Sequence, residues 1–317
     1  MSFLTSLLNS MPGAAAQGLA WGIMAIGVYI TYRILDVADL TVDGSLATGA
    51  AVCVVVTLNG APVWVSMLCA LLAGLLAGLV TGLFHTLCGI PAILSGILTQ
   101  LALYSVNLRI LGWGTGKGRA NLPISVDKYS LLVSSRDVRS LSLVNPILVL
   151  ALFVIAVIAL LYWFFGTEMG CSLRATGANQ SMARAQGINT NFAKVLGLML
   201  SNALVALSGA LLAQYQGTSD VNMGRGAIVI GLAAVIIGEV LFSKIFRNFA
   251  LKLLSAVIGA IIYYIVIQAV LRLGLSTDDL KLLTALVVAV FLAVPYWKGR
   301  YFAKKVLPAQ KGGGNHA

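Results

Sequence analysis

The sequence predicts an all-α, polytopic membrane protein of about nine transmembrane or broken helices, forming one domain over residues 1–317. Three observations carry this. Hydrophobic residues make up 59% of the chain against 10% charged, with a mean hydropathy of +0.96. That is more apolar surface than a soluble core uses. A bilayer core of about 30 Å needs roughly 20 apolar residues per helix, and runs near that length lie at 14–35, 62–84, 91–111, 145–165, 193–215, 249–273 and 280–295. Two shorter apolar runs, 45–58 and 226–242, each follow a polar, glycine-containing stretch. Such runs read as broken or re-entrant helices.

Taken in order, Phe3, Leu4, Leu7, Leu8 and Met11 form one face of a short interfacial helix, although Lys and Arg are missing from it. The positive region of a cleavable signal peptide is also missing. The first span ends in a cluster of Arg33, Asp36, Asp39 and Asp43. Arg33, like Arg225 before the second short run, reads as a snorkelling terminus. Asp43 either caps a helix starting near Ser45 or belongs to a transport pathway. Gly74, Gly78 and Gly82 give the 62–84 span a small face for close helix packing. His85 ends it as a solvated terminus. Deeper neutral polar residues, Gln17, Thr48, Gln100, Asn107, Asn202, Gln214 and Gln268, read mostly as interhelical hydrogen bonds, each worth about 0.6–2 kcal/mol.

The loop at 112–144 contains Gly114-Thr-Gly-Lys-Gly118, which fails as a phosphate loop. Leu111 stands where a glycine is needed, and Gly118 where a hydroxyl is needed. The loop is expected to be an extracytoplasmic cap and a landing surface for a binding protein. Cys53, Cys69, Cys88 and Cys171 form no CxxC pair; they read as small packing residues without a metal or redox role.

The two short runs look related: Asp39-Leu-Thr-Val-Asp-Gly precedes Gly49-Ala-Ala, and Asp220-Val-Asn-Met-Gly precedes Gly231-Leu-Ala-Ala. This implies repeats at about 14–112 and 193–297, joined by a linking span and coupling segment at 145–192. Corresponding spans are five apart, an odd offset that inverts the second repeat. The net charge of +11 suggests nucleic acid at first sight, but the basic residues flank apolar spans and set topology instead. The tail at 298–317, with Lys298, Arg300, Lys304, Lys305 and Lys311, is therefore placed in the cytoplasm. Counting nine crossings back puts 170–188 inside, and the N-terminus and the 112–144 loop outside. Lys117, Arg119, Lys128, Arg136 and Arg139 in that loop run against the rule, which long loops obey poorly.

The most informative stretch is Gly170-Cys-Ser-Leu-Arg-Ala-Thr-Gly-Ala-Asn-Gln-Ser-Met-Ala-Arg-Ala-Gln-Gly-Ile188, a polar island between apolar runs. Leu173 to Thr176 can be helical and stop at a left-handed Gly177. Asn179 can cap a second turn, 180–186, ended by Gly187. Ala183 and Ala185 make that turn slim, and Arg174 and Arg184 give it cationic edges. Two readings stand: a helix shaped to enter a cleft on a soluble partner, or a solvated connector.

This stretch resembles the cytoplasmic coupling segment of ATP-binding-cassette importer permeases, in the superfamily that includes branched-chain amino-acid and ribose permeases. Asp39-Leu-Thr-Val-Asp-Gly-Ser45 with Gly49-Ala50 is similar to the subgroup of tryptophan- or tyrosine-type uptake systems. Gly224-Arg-Gly-Ala-Ile-Val-Ile-Gly-Leu-Ala-Ala-Val-Ile-Ile-Gly-Glu239 is a third match, and the resemblance spans about residues 17–295. It implies that Arg174, Ala175, Thr176, Gly177, Asn179, Met182, Ala183, Arg184, Gly187 and Ile188 serve coupling to the ATPase. It also implies two cytoplasmic ATPase subunits that bind ATP and Mg, with no cofactor in this chain. An extracytoplasmic binding protein, a bacterial plasma-membrane location and an aromatic amino acid as substrate follow from it too. One coupling stretch against a paired ATPase points to a second permease copy, as a homodimer. The approaches to the short runs are the expected pathway lining: Asp39, Thr41, Asp43, Gly44, Ser45, Gly49, Asn222, Gly224 and Gly226.

Two other classes compete with this one. A secondary transporter fits inverted repeats, but ion coupling usually shows a midspan carboxylate or His, and none is evident. A membrane-embedded enzyme needs a convergent set of nucleophile, base or metal ligands, and no such set is present.

Overall fold

The computed structural model describes residues 3–272 except 126–127, 130, 140–144, 243–244 and 247, with a few positions between 282 and 293. The expected last span falls largely outside the described residues. The basic tail and the side chains of Phe3, Leu4, Leu7 and Leu8 fall outside them altogether. The described residues are all-α apart from one small ribbon. α1 (Phe3–Tyr29) runs unbroken through Pro12, so the separate interfacial helix expected at its start is instead continuous with the first span. A π-helical turn, Ile30–Ile34, closes it. Then follow α2 (Val42–Leu58), α3 (Val63–Thr86), α4 (Ala92–Leu111), α5 (Pro146–Gly166), α6 (Glu168–Ala178), α7 (Gln180–Ala185), α8 (Thr190–Gln216), α9 (Ala227–Phe242) and α10 (Phe249–Arg272).

Six of the described helices are long and apolar enough to cross a bilayer, and α2 and α9 are the two shorter apolar ones, as the hydropathy pattern predicts. Local chemistry sets their ends. Asn145 caps α5 through Ile147 N, with Pro146 in the first turn where its missing N–H costs nothing. Asn189 caps α8 through Phe192 N. At the other end of α8, Gly217 takes a left-handed conformation (φ 71°) that a side chain would disfavour.

α1 and α8 form the centre. Within their most apolar windows, 83% and 78% of residues are buried, against 22% in α4 and in α5. The partnering is crossed: α1 packs on α10 and α9, while α8 packs on α3 and α2. The glycine face of α3 lies on α8 as its spacing predicts, Gly74 over Asn202 and Ala206, Gly78 over Leu198 and Met199, and Gly82 over Val195. Leu72 and Leu76 on α3 and Leu152, Ile155 and Trp163 on α5 point outward. Exposed apolar rows on spanning helices suit a hydrocarbon solvent.

β1 (Asn121–Pro123) pairs antiparallel with β2 (Thr218–Asp220), tying the 112–144 loop to the end of α8. α8 has 27 residues, so it is roughly 40 Å long at 1.5 Å per residue. The ribbon and the α6–α7 segment therefore sit at opposite ends of the molecule. Cysteine substitutions in a cysteine-free background test this arrangement. Lys117→Cys, on the exposed loop, is expected to react with an impermeant thiol reagent in intact cells, and Ser181→Cys only after permeabilisation. Ser134 is buried and makes a poor probe. Labelling of Ser181→Cys in intact cells would reverse the orientation.

Candidate translocation and coupling site

α2 begins deep in the protein because the turn before it supplies its own polar partners. Asp39 is buried. One of its carboxylate oxygens accepts from the Thr41 N–H at 2.9 Å, and the other accepts from the Asn202 side-chain amide on α8 at 2.7 Å. Ser45 donates to the Asn202 carbonyl oxygen at 2.6 Å. The Thr41 and Thr81 hydroxyls lie 2.8 Å apart, adding α3 to the set. A buried polar cluster holds its shape only when each member is satisfied, and this one joins α2, α3 and α8.

Of the two readings open for Asp43, the local cap is not the one observed. The residue lies in the first turn of α2 but serves another helix. Its two carboxylate oxygens accept from the Gly226 and Ile228 N–H groups, each at 2.9 Å. The carboxylate thus caps the start of α9, a favourable place for negative charge. Gly224 packs directly on the Asp43 backbone carbonyl. The two polar approaches, 39–45 and 220–226, are therefore brought together.

Beside this junction lies a cavity of about 300 Å³, lined by Asp43, Gly44 and Ala47 of α2, Gln100, Leu101, Tyr104 and Asn107 of α4, and Val221 and Arg225. Of the expected pathway residues, Asp43 and Gly44 reach its wall. Asp39, Thr41 and Ser45 are packed behind it. Gly49 meets the Ala206 backbone on the far side of α2, and Asn222 is exposed. Arg225 is more than a snorkelling end, since its guanidinium lies over the Tyr104 ring at 5.8 Å. Arg33 likewise pairs with Glu239 at 2.8 Å, linking the π-helical end of α1 to α9.

The coupling segment departs from its expected shape in three respects. α6 starts at Glu168, behind a Thr167 cap, and continues through Gly177 to Ala178. Gly177 is therefore helical, and what its missing side chain permits is contact with the Ile34 carbonyl at the end of α1. Ala183 is 3% exposed and turns into the protein, whereas Met182 is 63% exposed. Arg174 forms no free cationic edge: its guanidinium lies over the Phe165 and Phe249 rings and donates to the Phe165 carbonyl.

Other features match the expectation. Asn179 caps α7 through Met182 N at 3.1 Å, and Gly187 is left-handed (φ 81°). Ile188 N returns to the Ala183 carbonyl at 3.0 Å, closing the helix end. Arg184, expected as a cationic edge, instead donates to Thr190 at 2.9 Å, and of the other expected coupling residues Thr176 is buried and Ala175 half-buried. Met169 and Phe192, which the sequence did not single out, are exposed on this end and line a common hollow; an apolar side chain flanking a polar island was the available signal.

The comparisons with known proteins bear on the family and the fold. A family model described as "Branched-chain amino acid transport system / permease component" matches residues 10–295. A tyrosine transport system permease protein of Clostridioides difficile is 42% identical over 90% of this chain and 91% of its own length. An uncharacterized protein of Rickettsia prowazekii is 33% identical over 90% and 98%. Among solved structures, PsaBC from Streptococcus pneumoniae in complex with Fab superposes with a TM-score of 0.51 at 18% identity, covering 96% of each chain, a likeness of fold.

Proposed function

This chain belongs to the branched-chain amino acid transport permease family, and from that membership we propose that it carries tyrosine, or a closely related aromatic amino acid, through the approaches to α2 and α9. It is the multi-pass permease subunit of an ATP-binding-cassette importer in the bacterial inner membrane, and its family is one of transport permeases rather than enzymes. Support for the substrate is the 42% identity to a tyrosine permease over nearly the full length of both chains. Two ATPase subunits holding ATP and Mg, a second permease copy and an extracytoplasmic binding protein complete the assembly. In this reading ATP and Mg are held by the ATPase subunits rather than by this chain.

The observation that carries the coupling half is the seat of Gly177 on the Ile34 carbonyl. It supports a direct mechanical route. ATP-driven closure of the ATPase pair displaces α6 and α7, and Gly177 passes the displacement to the π-helical end of α1. A π-helical turn is a poorly propagating piece of helix, often found at functional sites. The chain then runs through Asp36, held at φ 53°, to Asp39 and its partner Asn202. Breaking and remaking that polar set gives the switch two discrete arrangements. The crossed partnering of α1 with α10 and of α8 with α3 supports two inverted repeats rocking against each other.

Proteoliposomes holding permease, ATPase and binding protein test the reading. Tyrosine uptake is expected to require ATP and to survive collapse of ion gradients; uptake driven by a gradient without ATP would favour the secondary transporter instead. The exposed face of α7 gives a second test. Met182→Asp is expected to weaken ATPase pull-down by about tenfold or more, the loss of an interface anchor. Ala183→Trp, being buried, is expected to lower permease abundance first. Unchanged pull-down in Met182→Asp would move the ATPase contact elsewhere.

A further inference from the structure

Asn107 is 1% exposed, and neither its amide nitrogen nor its carbonyl oxygen has a hydrogen-bond partner among the described residues. A buried primary amide left unpaired costs the desolvation of both groups, so such a group calls for a ligand or a specific explanation. Asn107 lies in the wall of the cavity between α2, α4 and residues 221–225. Gln100, Tyr104 and Asn107 follow helical spacing along one face of α4 and all line it. The other groups in the wall form a set. Arg225 brings a guanidinium, already over the Tyr104 ring. Asp43 spends one lone pair of each oxygen on α9 and keeps others for a further donor. Ala47, Leu101 and Val221 are apolar.

We propose that this cavity is a substrate subsite within the permease for an α-amino acid whose aromatic side chain carries a hydroxyl. Arg225 takes the carboxylate and Asp43 the ammonium. Tyr104 and the apolar wall flank the ring. Asn107, able both to donate and to accept, takes the ring hydroxyl. At about 300 Å³ the cavity stands at the small end of the ~300–1,000 Å³ range of ligand pockets, room enough for one amino acid. A site built to bond a hydroxyl discriminates against the analogue lacking one, because its polar group is then left unpaired. The subsite therefore gives the permease its own preference for tyrosine over phenylalanine. This inference rests on the aromatic-substrate reading above.

The test uses the purified permease–ATPase complex without binding protein, in a cysteine-free background. Leu101→Cys, on the exposed part of the wall, reports occupancy through its rate of maleimide labelling. Tyrosine is expected to slow labelling several-fold, and phenylalanine to need roughly tenfold more for the same protection, the worth of one good hydrogen bond. Adding Asn107→Leu should bring tyrosine down to the phenylalanine value while phenylalanine is unchanged, a split that a merely structural role would not produce. Arg225→Gln should weaken both. If the intact importer takes up tyrosine but tyrosine never protects Leu101→Cys, the subsite is wrong and the transport reading stands. If tyrosine is not transported but another amino acid protects in a manner dependent on Asn107 and Arg225, the subsite stands and the tyrosine assignment falls. Equal protection by tyrosine and phenylalanine in the unaltered subsite overturns the role of Asn107.

Discussion

Gly177→Val is expected to leave an importer that assembles and hydrolyses ATP but no longer moves substrate. A Cβ at Gly177 would strike the Ile34 carbonyl and lie 3.0 Å from the Leu35 Cα, so backbone rather than a pliable side chain must give way. Inserting such volume into a packed contact costs about 1–3 kcal/mol, and here the cost falls on the joint between α6 and α1. α6 lies outside the spans and the exposed face of α7 is untouched, so membrane insertion and ATPase binding should persist. Uptake in proteoliposomes should fall by about ten- to hundredfold, the Boltzmann equivalent of 1.4–2.8 kcal/mol, with stimulation of hydrolysis by loaded binding protein lost. Gly177→Ala should fall between. Full stimulated hydrolysis and uptake in Gly177→Val would remove this joint from the coupling route.

Gly49→Leu should act earlier, on folding. A Cβ there would fall on the oxygen, carbonyl carbon and Cα of Ala206, and the Ala206 side chain already fills the space a Cβ at Gly74 would need. Three helices, α2, α3 and α8, close on each other at this one level, so no neighbour can move without disturbing another. Overpacking at such a crossing should reach or exceed the upper end of the ~1–3 kcal/mol range. Folded protein in the membrane is expected to drop severalfold, with a lower melting temperature and little uptake. Gly166→Leu, where a Cβ meets nothing within 4 Å, is the control and should behave as the parent. Parental abundance and uptake in Gly49→Leu would show that α2 is loosely held.

The elements were legible in the sequence where a periodic or compositional rule decides them. Hydropathy alone places the six long helices, and the polar stretches before α2 and α9 mark both short ones. The spacing of Gly74, Gly78 and Gly82 identifies the face that meets α8. Partners across the fold were not legible. Asp43 looks like a cap for its own helix because Ser45 follows it, but the Asp39–Thr41 turn starts α2 at Val42 and frees the carboxylate for a helix 183 residues away. Gly177 reads as a left-handed stop and is a helical close contact instead, since lack of a Cβ serves either use. A six-residue helix carries too little periodicity to say which way Ala183 turns. Asn107 looks like any interhelical amide, because the absence of a partner is a property of three dimensions.

The crossed partnering of α1 with α10 and of α3 with α8 also sets a timetable for biogenesis. During synthesis the first four helices leave the ribosome before the surfaces that α1 and α3 pack against most extensively are made. Gly74, Gly78 and Gly82 meet only lipid until α8 arrives, and α1 waits longer still, for α10. Insertion and compaction are therefore separate events here. The nascent first half can pair α2 with α3 and α4, but the glycine face of α3 stays uncovered until α8 is made, and cellular quality control has to tolerate that partly packed state.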